Sequence, residues 1–174
     1  MNKTQELTTS SIFLALGLIL PYVFHLTGIA GPILLPMHIP VLLCGFIMGA
    51  KTGLLIGFIT PLLNSAITGM PPAYPTAIAM AFELAVYGYL TGYLFKNRKL
   101  NVFAALIISM LCGRAVSGFI NFILLTFGGN GFVLKGFLTA SFIKAIPGII
   151  IQLIIIPLIV KVLEQNRLGM KIHG

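Results

Sequence analysis

The sequence predicts an all-α membrane protein in which six transmembrane helices form one compact bundle with both termini in the cytoplasm. Of its 174 residues 58% are hydrophobic and 8% charged, whereas about 25% are charged in a typical soluble domain. Mean hydropathy is +1.07, and apolar runs recur from Ile12 to Leu163. Each span needs roughly 20 apolar residues, so residues 1–174 are expected to form a single six-helix domain. A water-soluble globule is excluded.

Runs bounded by Pro, Gly and charge place the spans near residues 8–27, 33–50, 53–69, 76–95, 101–127 and 137–163. The first is read as a retained span, because the chain before it lacks the basic start and the cleavage site of a signal peptide. The second and third are the least regular. Pro36 and Pro40 lie at the start of one and Pro61 interrupts the other, and each removes a backbone donor.

The basic residues predict the orientation. If the amino terminus is cytoplasmic, the inner connections carry eight Lys or Arg residues and the outer ones only Lys135. This asymmetry follows the positive-inside rule. The net charge of +8 therefore indicates orientation in a lipid membrane and not a nucleic-acid partner.

Small residues recur at helical spacing. Glycines occupy every fourth position from Gly45 to Gly57, and Gly88 and Gly92 repeat the spacing. Such spacing lets helix backbones approach closely in lipid. Tight packing inside the bundle is favoured over a dimer face.

Three charged residues fall inside predicted spans: Glu83, Arg114 and Lys144. Each costs about 2.5–3.5 kcal/mol at a helix centre, and their predicted depths allow them to meet in the outer half of the bundle. Two cations facing one carboxylate leave a buried surplus of one positive charge, which a bound monoanion would neutralise. The alternative is a structural pair between Glu83 and one base, with the other base reaching toward water.

Uncharged polar residues extend this predicted site. Asn121 lies two helical turns from Arg114 and so shares roughly its face. Further hydrogen-bonding groups inside the spans are those of Asn64, Tyr87 and Gln152. Together they predict a polar cavity.

Two predicted outer connections, residues 28–40 and 69–75, are free of charge and rich in Pro, Gly and Met. A lid over the cavity is one interpretation, in which Met70, Tyr74 and His38 supply apolar bodies and polar tips. Ordinary helix-breaking turns packed on the bundle are the other. His25 and His38 lack a third spaced ligand, so a capping or lid role is favoured over a metal site, and no cofactor is expected.

No catalytic residues are expected. Glu83 is the only acidic residue inside a span, and the intramembrane serines lack a histidine base. The chain also carries no nucleotide-binding loop, so a partner would have to supply the work of transport. A stand-alone pore is the competing function, but the inner halves of the spans are too apolar to favour it.

The segments LPMHIPVLLCGFIMGA (residues 35–50) and GMPPAYPTAIAMAFELAVYGYLTG (residues 69–92), together with the length and the six-span outline, resemble the S components of energy-coupling factor (ECF) vitamin transporters. The resemblance implies a small subunit of the bacterial cytoplasmic membrane that captures a water-soluble vitamin or precursor near the outer face. It also implies docking on a module of one transmembrane coupling protein and two cytoplasmic ATPases.

In that family the loops between spans one and two and between spans three and four line the site with the outer parts of spans four to six. Carried onto this chain, the implied site is formed by Pro36 to His38, Met70 to Tyr74, Glu83, Arg114, Asn121 and Lys144. The family's alanine-xxx-alanine docking pattern on the first span is replaced here by Ser11-xxx-Ala15. The two segments look most like the pantothenate-type branch; a vitamin B6 form, folate or a deazaguanine-type base are the alternative cargoes.

Overall fold

A computed structural model describes the backbone of residues 2–26, 31–129 and 133–172, and their side chains except those of residues 25–26, 31–32 and 166–172. Within these ranges the chain is helical, with no β-strand. The predicted all-α class is therefore confirmed for the described part of the chain.

Within residues 2–26, 31–129 and 133–172, eight α-helices follow one another, with three short π-helical turns between them. The helices are α1 (Lys3–Leu26), α2 (Gly31–Leu34), α3 (His38–Met48), α4 (Ala50–Thr68), α5 (Ile78–Gly92), α6 (Val102–Phe127), α7 (Leu134–Leu138) and α8 (Ile146–Ile172). The π-helical turns are Ala73–Ala77 before α5, Tyr93–Asn97 after it, and Thr139–Ile143 after α7.

Five helical stretches are long and apolar enough to cross a membrane, counted over the described residues. They correspond to α1, α4, α5 with its flanking turns, α6, and the first part of α8. The second predicted span is broken at residues 35–37, and its longer piece, α3, has 11 residues, about 16 Å of helix. The predicted count of six spans and the cytoplasmic termini therefore stay predictions.

Helices α4 and α5 pack backbone to backbone through their glycines. A Cβ added to Gly88 would lie 2.1 Å from the carbonyl oxygen of Gly53, and one added to Gly53 would lie 2.3 Å from that of Gly88. Real Cβ atoms do not approach so closely, so both positions require glycine. The predicted use of this glycine pattern for packing inside the bundle is confirmed.

Helix α1 lies at the edge of the bundle. The Asn64 amide on α4 donates to the Gly17 carbonyl of α1 over 2.9 Å, and the Thr52 hydroxyl donates to Glu6 over 3.3 Å. These contacts pair Glu6 with the start of α4 and Gly17 with its later part, so α1 and α4 run parallel. Most of α1 remains exposed, including Ser11 and Ala15.

Candidate functional site

Glu83 lies at the centre of a buried polar cluster, defined here as Glu83, Tyr87, Arg114 and His38. Its Oε1 atom accepts a 2.9 Å hydrogen bond from the Tyr87 hydroxyl, one turn further along α5. The Arg114 Nε atom on α6 lies 3.2 Å from the same oxygen. Glu83 is 5% exposed and Arg114 7%, so each charge is stabilised by its partner where water cannot do so.

Gly113 sets the position of the Tyr87 ring. A Cβ at this position would lie 2.1 Å from Cε1 of Tyr87, so the ring occupies the space that a side chain on α6 would fill. The ring therefore packs against α6 at Gly113, and its hydroxyl reaches Glu83 on its own helix.

His38 enters the cluster because the chain turns sharply between α2 and α3. Leu35 has φ 52, a left-handed conformation that ends α2, and its carbonyl accepts a hydrogen bond from the His38 amide. The His38 Nε2 atom lies 3.9 Å from Glu83 Oε1, and its ring centroid lies 5.6 Å from that of Tyr87. His38 is thus part of the buried cluster, deeper than the surface position expected of a lid residue.

Four buried side-chain atoms have no hydrogen-bond partner within the described residues. They are Nη2 of Arg114, Nδ1 of His38, and both Nε2 and Oε1 of Gln152 on α8. An unpaired buried polar atom costs about 1–3 kcal/mol, and most buried polar groups in folded proteins avoid that cost. Because a guanidinium nitrogen only donates and an amide both donates and accepts, these atoms are equipped to bind a polar molecule.

The sequence identifies Gln152 as a polar group inside a span, but the predicted site residues do not include it. Its isolation in an apolar run is the signal that points to it, because it is the only polar side chain from Ile149 to Ile156. Its complete burial depends on the packing of α8, which the sequence alone does not give.

The predicted lid residues Met70 and Tyr74 lie at the surface of the connection between α4 and α5, and both are about half exposed. The Tyr74 hydroxyl donates a short hydrogen bond to the Leu124 carbonyl in the last turn of α6. The Met70 amide is bonded to the hydroxyl of Thr68 at the end of α4. The connection between α4 and α5 is therefore bonded to the carboxyl-terminal end of α6, the helix that carries Arg114.

Lys144 differs from its predicted position. It is exposed and follows the π-helical turn before α8, with no carboxylate within ion-pair distance in the described part of the chain. The expected buried surplus of one cation is therefore wrong, because the buried cluster holds one guanidinium and one carboxylate. Lys144 lies near a helix end and is exposed, so its ammonium is not buried inside the bundle.

Two predicted amides are engaged elsewhere. Asn64 is buried, but its amide nitrogen bonds the Gly17 carbonyl of α1. Asn121 is half-buried and donates to the Ser117 carbonyl one turn earlier on α6. The structure thus brings together His38, Glu83, Tyr87 and Arg114, and gives no contact between this cluster and Asn64, Met70, Tyr74 or Lys144.

A separate groove of about 560 Å³ lies along α7 and the turn that follows it. Its lining residues are Leu134, Lys135, Leu138, Thr139, Phe142 and Ile143. None of them belongs to the buried cluster. Over the described residues no three His, Cys, Asp or Glu side chains are grouped as metal ligands; the His25 side chain lies outside those residues.

A helical bundle of membrane-spanning length with charged residues buried inside it is typical of a protein that binds or moves a solute. Residues 5–160 match the model of a protein family described as ECF transporter, substrate-specific component. Because the match covers most of the chain, the protein belongs to this family. Searches of curated proteins and of solved structures found no match.

Membership confirms the resemblance at the level of the family. It implies association with an ECF module and with a small-molecule substrate. Members are transport subunits and generally not enzymes, and the family is consistent with a membrane location.

Proposed function

We propose that the protein is the substrate-capturing subunit of an ATP-driven ECF importer and binds a water-soluble vitamin or vitamin precursor at the buried cluster. The observation that carries this proposal is the set of buried polar atoms on Arg114, His38 and Gln152 that have no partner among the residues the structure describes. If Glu83 and Arg114 formed an ion pair with a structural role alone, these unpaired atoms would have no role. A bound polar molecule would satisfy them and recover the free energy that their burial costs.

Within the cluster, Glu83 orients Arg114 for this task. The guanidinium uses Nε on Glu83 and keeps Nη2 available to donate to an oxygen of the cargo. A planar guanidinium with one side fixed presents its remaining N–H groups in a defined direction. His38, on α3, supplies a further nitrogen, Nδ1, which has no partner within the described residues.

The surrounding elements support a closed, outward-facing site in a six-span bundle with cytoplasmic termini. Residues 35–37 carry His38 into the cluster, and the connection between α4 and α5 bonds α6 through Tyr74. These two segments are the proposed lid, with Met70 and Tyr74 at its surface; residues 28–30 of the predicted lid lie outside the described residues. Asn64 contributes by fixing α1 to α4.

The exposed face of α1 supports docking on the coupling protein of an ECF module. Ser11 and Ala15 are both exposed on this helix. Small side chains four residues apart permit close approach of a second helix in lipid. We assign these two residues to the docking face.

Pantothenate is the first candidate cargo, with a vitamin B6 form, folate and a deazaguanine-type base as alternatives. Its support is the likeness of residues 35–50 and 69–92 to the pantothenate-type branch, together with its hydroxyl and amide groups, which suit the unpaired donors. The charge balance of the cluster gives it no further support, since Lys144 is exposed.

Isothermal titration of the purified, nucleotide-free protein against a panel of vitamins tests the proposal. We expect one vitamin to bind, at one molecule per chain. Pantothenate is the first vitamin to test. If no vitamin in the panel shows saturable binding, the proposal is overturned. Solute flux through liposomes that contain the isolated chain would instead indicate a pore.

A further inference from the structure

We infer that Gln152 determines which cargo is accepted, by reading a neutral carbonyl group that has an N–H or O–H donor beside it. This inference rests on the proposed function, since it needs a cargo at the buried cluster. It starts from a side chain that has no exposed surface and no partner for either of its polar atoms within the described residues.

The register of α8 directs Gln152 toward the segment that carries His38. A Cβ added to Gly148 would lie 2.7 Å from the Ile33 carbonyl oxygen, so this face of α8 packs on the chain just before α3. Residues four apart share a helix face. Gln152 therefore lies one turn from Gly148 on the face that meets the approach to His38.

The chemistry of an amide defines what can satisfy it. A glutamine side chain offers N–H donors on one atom and acceptor lone pairs on the atom beside it. A carboxylate would pair only with the nitrogen and leave the oxygen unpaired, and an ammonium group would do the reverse. A group that carries a donor next to an acceptor satisfies both atoms.

The charge of the cluster points to the same class. Glu83 and Arg114 neutralise each other at 3.2 Å, so a net charge placed beside them in a low-dielectric interior would be uncompensated. The Nη2 atom of Arg114, unpaired within the described residues, is a further donor for a neutral group of the cargo. The group read at this depth is therefore neutral.

Lactams, ureides, imides and amides with a neighbouring hydroxyl belong to this class. Vitamins that carry such a group include pantothenate, biotin, riboflavin and folate. Pyridoxine, nicotinate and lipoate carry none.

The first test is which of these vitamins binds. Titration should give saturable binding by a member of the first group and none by pyridoxine, nicotinate or lipoate. Tight binding of one of the latter three would overturn the inference and leave the proposed function standing. If none of these seven vitamins binds, and no other vitamin binds either, the proposed function is overturned and this inference with it.

The second test uses Gln152→Leu, an apolar residue of similar length. Without cargo its melting temperature should equal or exceed that of the wild type, because two unpaired atoms are removed. Its affinity for the vitamin that binds should fall at least about tenfold, because a site built around hydrogen bonds discriminates strongly when they are lost. Gln152→Asn, which keeps the amide but withdraws it by one methylene, should also weaken binding.

Asn64→Leu is the matched control for stability, since it removes a buried amide whose nitrogen is already bonded to Gly17. Its melting temperature should fall. If Gln152→Leu falls as far as Asn64→Leu, or fails to fold, the amide is structural and the inference is overturned. Wild-type affinity in Gln152→Asn would overturn it equally.

Discussion

Arg114 places its Nε atom 3.2 Å from Oε1 of Glu83 in an ion pair and keeps its Nη2 atom buried without a partner in the described part of the chain. One guanidinium therefore does two things: one nitrogen compensates a buried carboxylate, and another remains available. A lysine at this position would perform the first task without the second, because an ammonium is a compact charge without a planar fork. This difference separates a structural role for the pair from a role in binding.

Arg114→Lys should therefore weaken binding of the cargo about tenfold or more, the loss expected for a charge-assisted hydrogen bond. Its melting temperature should fall much less than that of Arg114→Ala. The alanine variant leaves Glu83 buried without a cation, which costs about 3–5 kcal/mol. Titration calorimetry and thermal unfolding in detergent measure both quantities. Equal affinity in Arg114→Lys and the wild type would assign the pair to structure alone.

Lys144→Ala should have a small effect. An exposed charge contributes about 1 kcal/mol or less, so affinity should change less than about fivefold, and the melting temperature should stay close to that of the wild type. Titration calorimetry under the same conditions compares the affinity lost in Lys144→Ala directly with that lost in Arg114→Lys. A larger loss of affinity in Lys144→Ala than in Arg114→Lys would bring the ammonium into contact with the cargo after all.

Gly113→Ala should lower the melting temperature and weaken binding, because its methyl group would lie 2.1 Å from the Tyr87 ring. The ring must then move and take its hydroxyl from Glu83. Alanine is favoured over glycine in a helix by about 1 kcal/mol, so a net loss of stability reports the clash.

Gly136→Ala is the control for this substitution. Among the described residues, a Cβ there would meet only Val133, at 3.8 Å, an ordinary contact. Its melting temperature should be unchanged or slightly higher. If both alanine variants behave alike, the position of the Tyr87 ring does not depend on Gly113.

Tyr74→Phe should speed the release of bound cargo without changing the fold. The hydroxyl that bonds the Leu124 carbonyl is worth about 1 kcal/mol, which corresponds to a roughly fivefold faster dissociation. Stopped-flow measurement of dissociation checks this. Tyr89→Phe, an exposed tyrosine stacked on Tyr93, should release cargo at the wild-type rate; identical rates in all three proteins would show that the connection between α4 and α5 does not restrain the cargo.

Much of the fold follows from hydrophobicity alone. The stretches that became α1, α4, α5 and α6 are predominantly apolar runs of membrane-spanning length, so their existence was predictable. The break at residues 35–37 was not, because Pro32, Pro36 and Pro40 are compatible both with a kinked span and with two short helices. The left-handed turn at Leu35, which brings His38 to Glu83, has no signature in the sequence.

The site was predictable in part for the same reason. Glu83 and Arg114 stand out as charges in apolar runs, and opposite charges inside a membrane are expected to pair. The predicted depth of Lys144 inside the last span did not reveal that this residue is exposed, since exposure at a helix end depends on where α8 begins. The Gln152 amide nitrogen and oxygen have no partner in the described part of the chain because of how neighbouring helices pack around the side chain. The sequence does not give that packing.

Native mass spectrometry of protein purified without added ligand tests the central claim most directly, because a cargo held at the buried cluster should survive purification. We predict a retained small molecule, at one per chain, whose mass is that of a vitamin or precursor and which is lost from Arg114→Lys. A folded wild-type protein that carries no small molecule, and takes up none from the vitamin panel, would contradict the account.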